Sequence, residues 1–531
     1  MIVRFAALLT LYAAGLSAQV TDTQLREANP DSWLHYNGSY DSKRHSPLRE
    51  VNLTTVNALV PKWVYHVPNA AHLQTVPVMA DGVMYVTQTN EVYAIDARTG
   101  RQIWEYHRVP ALQKGPNRGV AIAGDKVYFT TADAHLIALN AATGNIVFET
   151  KIAEAKDGYW SPAAPMVVKG KVIAGIAPGD HGLNGFLDAY DANTGERLWR
   201  FDPIPKPGQP GSESWSGDSW KFAGGDTWLT GSFDPELDLL YWPIGNPAPD
   251  FNGDVRLGDN LYTDCIVALD VNTGKMKWYF QFTPHDTMDW DAAEIPILVD
   301  APYQGQTRKL LAHADRNGFY YLLDRVTGKF LTGTPFIKSL NWASGLTPEG
   351  RPIRIPGIEP TLKGTVVCPS AIGAANWQSP AYNPDTGLFY VVAKEGCGLA
   401  NKSTETFRPG GFQYRATGDV EIRNDDWKIY VRALDLTTGK MKWEQERIGS
   451  NGFGGGLLST AGGLIFSGET GGQLVALDAK TGRILWHFNT GQQITAQPVT
   501  YTLDGRQYVT VATATDIIAF ALFEGAREVN K

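Results

Sequence analysis

The chain has 531 residues, 43% of them hydrophobic, with 55 glycines, 16 tryptophans and 22 tyrosines, a composition that suits many turns and aromatic-packed strands. A net charge of −8 without any basic run argues against a nucleic-acid surface. Three cysteines are too few for a disulfide-framed scaffold, and without a Cys-x-x-Cys-His run the chain carries no c-type haem of its own.

Residues 1–18 read as an export signal. Arg4 supplies the positive flank, Phe5 to Leu16 is short and apolar, and Leu16-Ser17-Ala18 ends in the small residue a signal peptidase cleaves after. That apolar run is too short to cross a bilayer, and no later stretch exceeds it. Residues 19–531 are therefore expected as one exported domain with no membrane span, periplasmic in a Gram-negative cell.

From residue 19 to 60 the chain reads as an extended segment packing across the surface of the domain, carrying Trp33 to Gly38 and Arg44 to Leu48. Apolar strands follow at Pro61 to Tyr65 and Val83 to Val86, with a corner at Gln74-Thr75-Val76-Pro77 between them. More strands come at Val127 to Phe129, Val172 to Ala174 and Trp228 to Thr230. Residues 203–220, rich in Pro, Gly and Ser, read as a long face loop. Residues 331–380 hold several prolines and little regular pattern, and 399–426 read as a polar lid or solvated insertion. A last hairpin, Leu503 to Ala512, should help close the fold.

One phrase recurs: Asp, two variable residues, Thr-Gly, three residues, Trp. It runs Asp96 to Trp104, Asp191 to Trp199, Asp270 to Trp278, Asp435 to Trp443 and Asp478 to Trp486, with a weaker copy from Asn140 to Phe148. Another copy, at Asp324 with Thr327-Gly328, has lost its aromatic. The phrase is a strand, a tight turn and a strand: the Asp accepts backbone hydrogen bonds and the Gly tolerates positive φ. From 96 to 140, 140 to 191 and 435 to 478 the copies start 43 to 51 residues apart, room for one four-stranded antiparallel sheet, and the larger gaps hold degenerate hairpins such as Phe233 to Trp242 and Tyr382 to Val392. Each sheet leaves apolar faces that only a neighbour can cover. The expected fold class is all-β, an eight-bladed β-propeller of four-stranded antiparallel blades: the mature length divided by eight leaves a blade plus loops, which favours eight blades over seven, and the open solenoid that is the alternative lacks a capping repeat here.

Outside the repeat stand polar groups that packing does not explain. Asn246, in Gly245-Asn246-Pro247-Ala248-Pro249, reads as a turn former or as an oxygen ligand for a hard cation. Thr283-Pro284-His285-Asp286-Thr287-Met288-Asp289-Trp290-Asp291 crowds three carboxylates together. On an extended segment Asp289 and Asp291 face one side, as a solvated acidic loop or around a shared cation. Asp180 in Gly179-Asp180-His181-Gly182 is a further oxygen ligand candidate. Arg316 in Asp315-Arg316-Asn317-Gly318 is a turn residue or a fixed guanidinium beside a carbonyl.

These phrases, with Tyr241-Trp242, Gly258 to Tyr262, Leu323-Asp324-Arg325, Cys368-Pro369-Ser370 and Thr460 to Leu464, resemble the soluble quinoprotein alcohol dehydrogenases over residues 30–510. That family uses pyrroloquinoline quinone (PQQ) in an eight-bladed propeller. The resemblance implies a cation on Asp180, Asn246 and Asp289, with Asp289 as catalytic base and Asp286 orienting it. It implies Arg316 beside the quinone oxygens, Trp228 as the floor beneath PQQ, Arg118 and Asn376 on its polar groups, and Gln74 where a PQQ-contacting Glu is common. Asp291, two residues beyond Asp289, resembles the extra acid of the lanthanide-using branch, so the ion is a lanthanide in preference to Ca2+. Cys368 and Cys397 resemble a structural disulfide, leaving Cys265 as a buried thiol. Departures are the missing vicinal disulfide over PQQ, with Leu112 and Gln113 in its place, Pro162 for a frequent Thr, and Gly454 for a large Trp. Gly454 implies a wider pocket.

The implied reaction is hydride transfer from a primary alcohol to PQQ, with electrons passed on to a separate cytochrome c. A sugar, polyol or polymeric alcohol is the alternative substrate, and a non-enzymatic propeller scaffold the remote one. Both a monomer and a homodimer are compatible with the sequence.

Overall fold

The computed structural model describes residues 19–525 apart from 28, 109–114, 411 and 450. The leader and the Leu112–Gln113 roof lie outside the described residues.

Eight sheets, each with four consecutive antiparallel strands at its heart, make the expected ring. In chain order blade I spans 78–107, blade II 121–151, blade III 166–201, blade IV 232–281, blade V 297–335, blade VI 381–446 and blade VII 457–489. Blade VIII joins Val499–Leu503, Arg506–Ala512 and Asp516–Leu522 to the early strand Leu59–His66, which pairs antiparallel from Leu59↔Leu522 to His66↔Asp516. The first and last parts of the domain thus share one sheet, which closes the circle and removes two free edges. First strands are mostly buried, wholly so in Val78–Ala80, whereas fourth strands such as Gln102–His107 alternate exposed and covered residues. The first strands therefore line the axis and the fourth form the rim.

The repeated turn shows why it needs both its glycine and its aromatic. In the turn at Asp270, the carboxylate accepts from Asn272 N and Thr273 N at 3.1 Å, and Gly274 has φ +67°. The Trp of one blade then lies flat on the Gly of the next. A Cβ on Gly100, Gly144, Gly274, Gly328 or Gly482 would stand 2.5–2.7 Å from the rings of Trp63, Trp104, Trp199, Trp278 and Trp443 respectively. Each of these indoles donates Nε1–H to a backbone carbonyl of that neighbour, for example Trp199 to Val271 O at 3.0 Å and Trp443 to Ala479 O at 3.1 Å. Phe148 covers Gly195 without the hydrogen bond. Blade V, whose phrase lacks its aromatic, uses Tyr320 from its third strand instead. Tyr320 covers Gly439, and its hydroxyl donates to Leu436 O at 2.6 Å.

The segment before residue 60 is not a surface strap. It crosses the inner strands of several blades, where Arg44 is fully buried. Its guanidinium donates to Leu457 O (2.7 Å), Tyr36 O (2.9 Å) and Pro498 O (2.5 Å). Tyr40, Asp41 and Lys43 accept backbone bonds from Phe233, Leu298 and Tyr382. Exposed first-strand backbone on the axis has to be satisfied, and this segment does so.

Residues 331–380 contain more structure than expected, with a hairpin of Ala343–Leu346 and Pro352–Arg354. The insertion within blade VI, Cys397–Lys402 and Thr417–Ile422, forms a small sheet outside the ring with Thr365–Val367 of the preceding connection. The Cys368–Cys397 disulfide pins its base, and Cys265 is a buried free thiol. Among the described residues no helix is long and apolar enough to cross a membrane.

Gly274→Ala, which adds both a left-handed backbone penalty and a clash with Trp199, should destabilise the domain by about 2–4 kcal/mol. Gly387→Ala, at φ +69° with open space around it, should show only the backbone part, about 1 kcal/mol. Equal denaturation midpoints for the two variants would remove the docking contact from the account of stability.

Candidate functional site

In an antiparallel blade the connections alternate between the two ends of the ring. The Asp-x-x-Thr-Gly turns join third to fourth strands and occupy one face. Connections from second to third strands, and from one blade to the next, occupy the other. Every candidate residue lies on that second face. Gln74, Arg118, Trp228, the 283–291 segment and Asn376 are on blade-to-blade connections, and Asp180, Asn246 and Arg316 on second-to-third connections.

Trp228 is a partly buried platform. The Arg118 guanidinium lies 4.9 Å from its ring centroid and 4.8 Å from that of Trp377, and Arg316 lies 5.9 Å from Trp228 on the other side. Burial pulls Arg118 down to about 10. Arg118 Nε and Nη1, Arg316 Nε and Gln74 Oε1 are buried without a hydrogen-bond partner. Gln74 and Asn117 also line a cavity of about 640 Å³. Unpaired buried guanidiniums are costly, and a flat ligand bearing carboxylates and carbonyls on Trp228 would satisfy them. The residues fit PQQ.

Beside this platform the acids converge. Asp289, at φ +60°, is held from both sides: Arg316 Nη1 donates to its backbone O at 2.7 Å, while Asp286 accepts from Met288 N (3.0 Å) and Trp290 N (2.9 Å). Asp286 thus orients Asp289 through the backbone of the turn. Asp291 is fixed by Arg316 Nη2 on Oδ2 (2.8 Å) and by Asn246 N on Oδ1 (2.9 Å). Asn376 Oδ1 lies 3.4 Å from Arg316 Nη2. The Asn246 amide nitrogen donates to Asp250 Oδ1 at 3.0 Å, so its amide oxygen is the group it can offer a cation. Asp180 is half exposed, on a one-turn helix whose backbone O accepts from Tyr414 N.

Three residues of this centre carry no signal in the motifs. Asp250, fully buried, is pushed up to about 7 by burial and then by Asp180. Asp226 sits where a Cβ on Gly179 or Gly245 would meet it, at 2.8 and 3.1 Å, and burial with Asp291 raises its carboxyl well above the usual range. Arg415 reaches in from the blade VI insertion. Its Nε donates to Asp250 Oδ2 and its Nη2 to Asp289 Oδ2, both at 2.7 Å, and its Nε lies 3.8 Å from Asp180 Oδ1. Burial and then Asp250 raise Asp289 well above the ordinary carboxylate value. Charged residues embedded in turns, as in Pro249-Asp250-Phe251, were the available signal for the first two. Arg415 lies 126 residues from Asp289 in the chain and had none.

Gly454 does not read as a vacated pocket. It has φ +72°, and a Cβ there would stand 2.5 Å from Gly468 O and 2.6 Å from Arg447 Nη1. Its glycine answers to backbone geometry and to the Arg447 side chain beside it.

The family model for the β-propeller domain of PQQ-dependent glucose, ethanol and alcohol dehydrogenases matches residues 33–335 and 435–509. A quinoprotein alcohol dehydrogenase of Pseudomonas putida, PedH, is 38% identical over 94% of this chain and 89% of its own length. The quinohemoprotein alcohol dehydrogenase of Comamonas testosteroni is 37% identical over 94% of this chain and 75% of its own length. Its crystal structure superposes with a TM-score of 0.88, covering 94% of this chain and 82% of that one. A europium-containing methanol dehydrogenase superposes at 0.86 with 31% identity, covering 93% of this chain and 98% of that one. A ring of eight blades whose loop-bearing face presents Trp228, the unpaired guanidinium nitrogens of Arg118 and a cluster of acids around Asn246 therefore belongs to the PQQ-dependent alcohol dehydrogenase family.

Proposed function

We infer that the chain is a PQQ-dependent dehydrogenase that oxidises an alcohol carbon by hydride removal. The observation that carries this reading is Asp289. Its carboxylate stands beside the Trp228 platform, its backbone is held by Arg316 and the Asp286 turn, and Asn246 with Asp291 is at its side.

Bound on Trp228, PQQ supplies the two-electron acceptor, and a cation on Asp180, Asn246, Asp289 and Asp291 supplies a Lewis acid. Asp289 takes the hydroxyl proton of the alcohol through a carboxylate oxygen. Arg316 holds the Asp289 turn and presents its remaining charge toward the platform, where it offsets negative charge developing in the reaction. Arg118, Gln74 and Asn376 orient the cofactor's polar edge, and Trp228 and Trp377 exclude water from its faces.

A trivalent ion suits the centre better than Ca2+. Asp180, Asp226, Asp250, Asp289 and Asp291 are five carboxylates against the two guanidiniums of Arg316 and Arg415, an excess of three negative charges. The europium-containing relative supports the same reading. A primary alcohol is the first substrate. The Asp250–Arg415 pair makes one wall of the site polar, and this favours a polyol or sugar alcohol as the second reading. The oxidised product leaves, and the electrons pass one at a time to a separate cytochrome c in the periplasm, because the chain has no haem-attachment motif.

Asp289→Asn should retain PQQ binding, followed by absorbance, and lower kcat by about 10²–10⁴-fold. Wild-type turnover in that variant contradicts the base assignment. Arg118→Gln should weaken PQQ binding by roughly tenfold to a hundredfold, since it removes charge-assisted hydrogen bonds. Unchanged cofactor affinity would place the carboxylates elsewhere.

A further inference from the structure

Behind the catalytic face lies a second cluster that the alcohol reaction does not use. Glu294 is on the connection from blade IV to blade V, His313 ends the second strand of blade V, and Asp315 opens the turn after it. All three are buried, at 2%, 0% and 0% exposure. His313 Nε2 lies 3.1 Å from Asp315 Oδ2 and 3.7 Å from Glu294 Oε2, and one ligand atom from each residue falls within 4.8 Å of the others. Phe282 stacks on the imidazole at 4.3 Å and 17°, which fixes the plane of the ring.

Hydrogen bonds within the cluster leave much unsatisfied. If Nε2–H donates to Asp315, both Glu294 oxygens and His313 Nδ1 remain buried with no partner. Each such group costs about 1–3 kcal/mol. A cation resolves the Glu294 and Asp315 oxygens together. His313 Nε2 faces both carboxylates, so it is the ring nitrogen that an ion between them would bind. Metal–ligand bonds of about 2.0–2.1 Å in a tetrahedron hold ligand atoms about 3.3 Å apart, and 3.1 and 3.7 Å bracket that spacing. One imidazole with two carboxylates suits a divalent transition metal such as zinc better than the all-oxygen preference of Ca2+.

We propose that Glu294, His313 and Asp315 form a second, structural metal site for a zinc-like divalent ion, distinct from the catalytic cation site at Asn246. The ion ties the segment carrying Asp289 and Asp291 to the strand and turn that present Arg316. Arg316 itself pairs with Asp291 at 2.8 Å. None of the three ligands belongs to the catalytic set, so the two sites are separable by mutation.

The test is metal analysis of the PQQ- and lanthanum-loaded enzyme produced with zinc in the medium and washed with a mild chelator. Wild type should hold about one zinc per chain. His313→Gln and Glu294→Gln should each lose it while keeping their PQQ and lanthanum, and their thermal midpoints should no longer rise with added Zn2+. Should His313→Gln fail to fold, the nearly isosteric Glu294→Gln decides alone. A wild type without retained zinc, or zinc retained equally by Glu294→Gln, overturns the proposal.

Discussion

Carboxylates brought within a few ångströms of one another in a protein interior repel, and that repulsion is the constraint around which the functional end of this molecule is arranged. Asp226, Asp250, Asp289 and Asp291 converge on Asn246, with Asp180 on the open side. Each is kept in place by something outside the acid cluster: Asp289 by its own turn, Asp291 by Arg316, Asp250 by Arg415. Arg415 and Arg316 are the positive charges the chain itself brings to the cluster, and they leave it short of neutrality. Burial and the neighbouring acids raise the proton affinities of Asp226, Asp250 and Asp289, as expected of carboxylates gathered with too few cations.

Such a cluster needs a rigid frame, and the ring provides it. Seven of the eight blade junctions carry an aromatic ring lying on a glycine, and at six of them an indole or phenol group is bonded to the neighbour's backbone; at the eighth Trp486 packs on Phe520 instead. Because strands alternate in direction, these locks gather on one face and leave the other to loops. Connections then project side chains from five blade junctions and three turns without any blade having to bend. The Glu294–His313–Asp315 cluster lies beneath the same loops, where it braces Arg316 and the Asp289 segment from behind.

The periodic part of this design was legible in the chain. Asp270, Gly274 and Trp278 predicted a turn and a covered aromatic, and the spacing of such turns predicted the number of blades. What spacing could not say was that Trp278 covers the next blade's Gly328, or that Tyr320 replaces the missing aromatic of blade V. The motif residues Asp180, Asn246, Asp289, Asp291 and Arg316 all lie on the loop-bearing face. Asp226, Asp250 and Arg415 were missed for two reasons. A single acid in a turn has the same pattern as a solvated one, and Arg415 reaches the site only through an insertion whose fold has no periodic signature. The segment before residue 60 reads as packing across the surface because an extended stretch without periodicity has no burial signature, whereas its Arg44 finds two carbonyls of the ring and one of its own segment.

The charge excess at Asn246 is tested most directly by cation affinity. Metal-free, PQQ-loaded protein would be titrated calorimetrically with La3+ and, separately, with Ca2+ at one pH and ionic strength. Three uncompensated negative charges within pairing distance predict a preference for La3+ of at least about a hundredfold, roughly 2.7 kcal/mol. Equal affinities, or tighter binding of Ca2+, would mean that the acids are neutralised by protons rather than by the metal, and would contradict the trivalent centre.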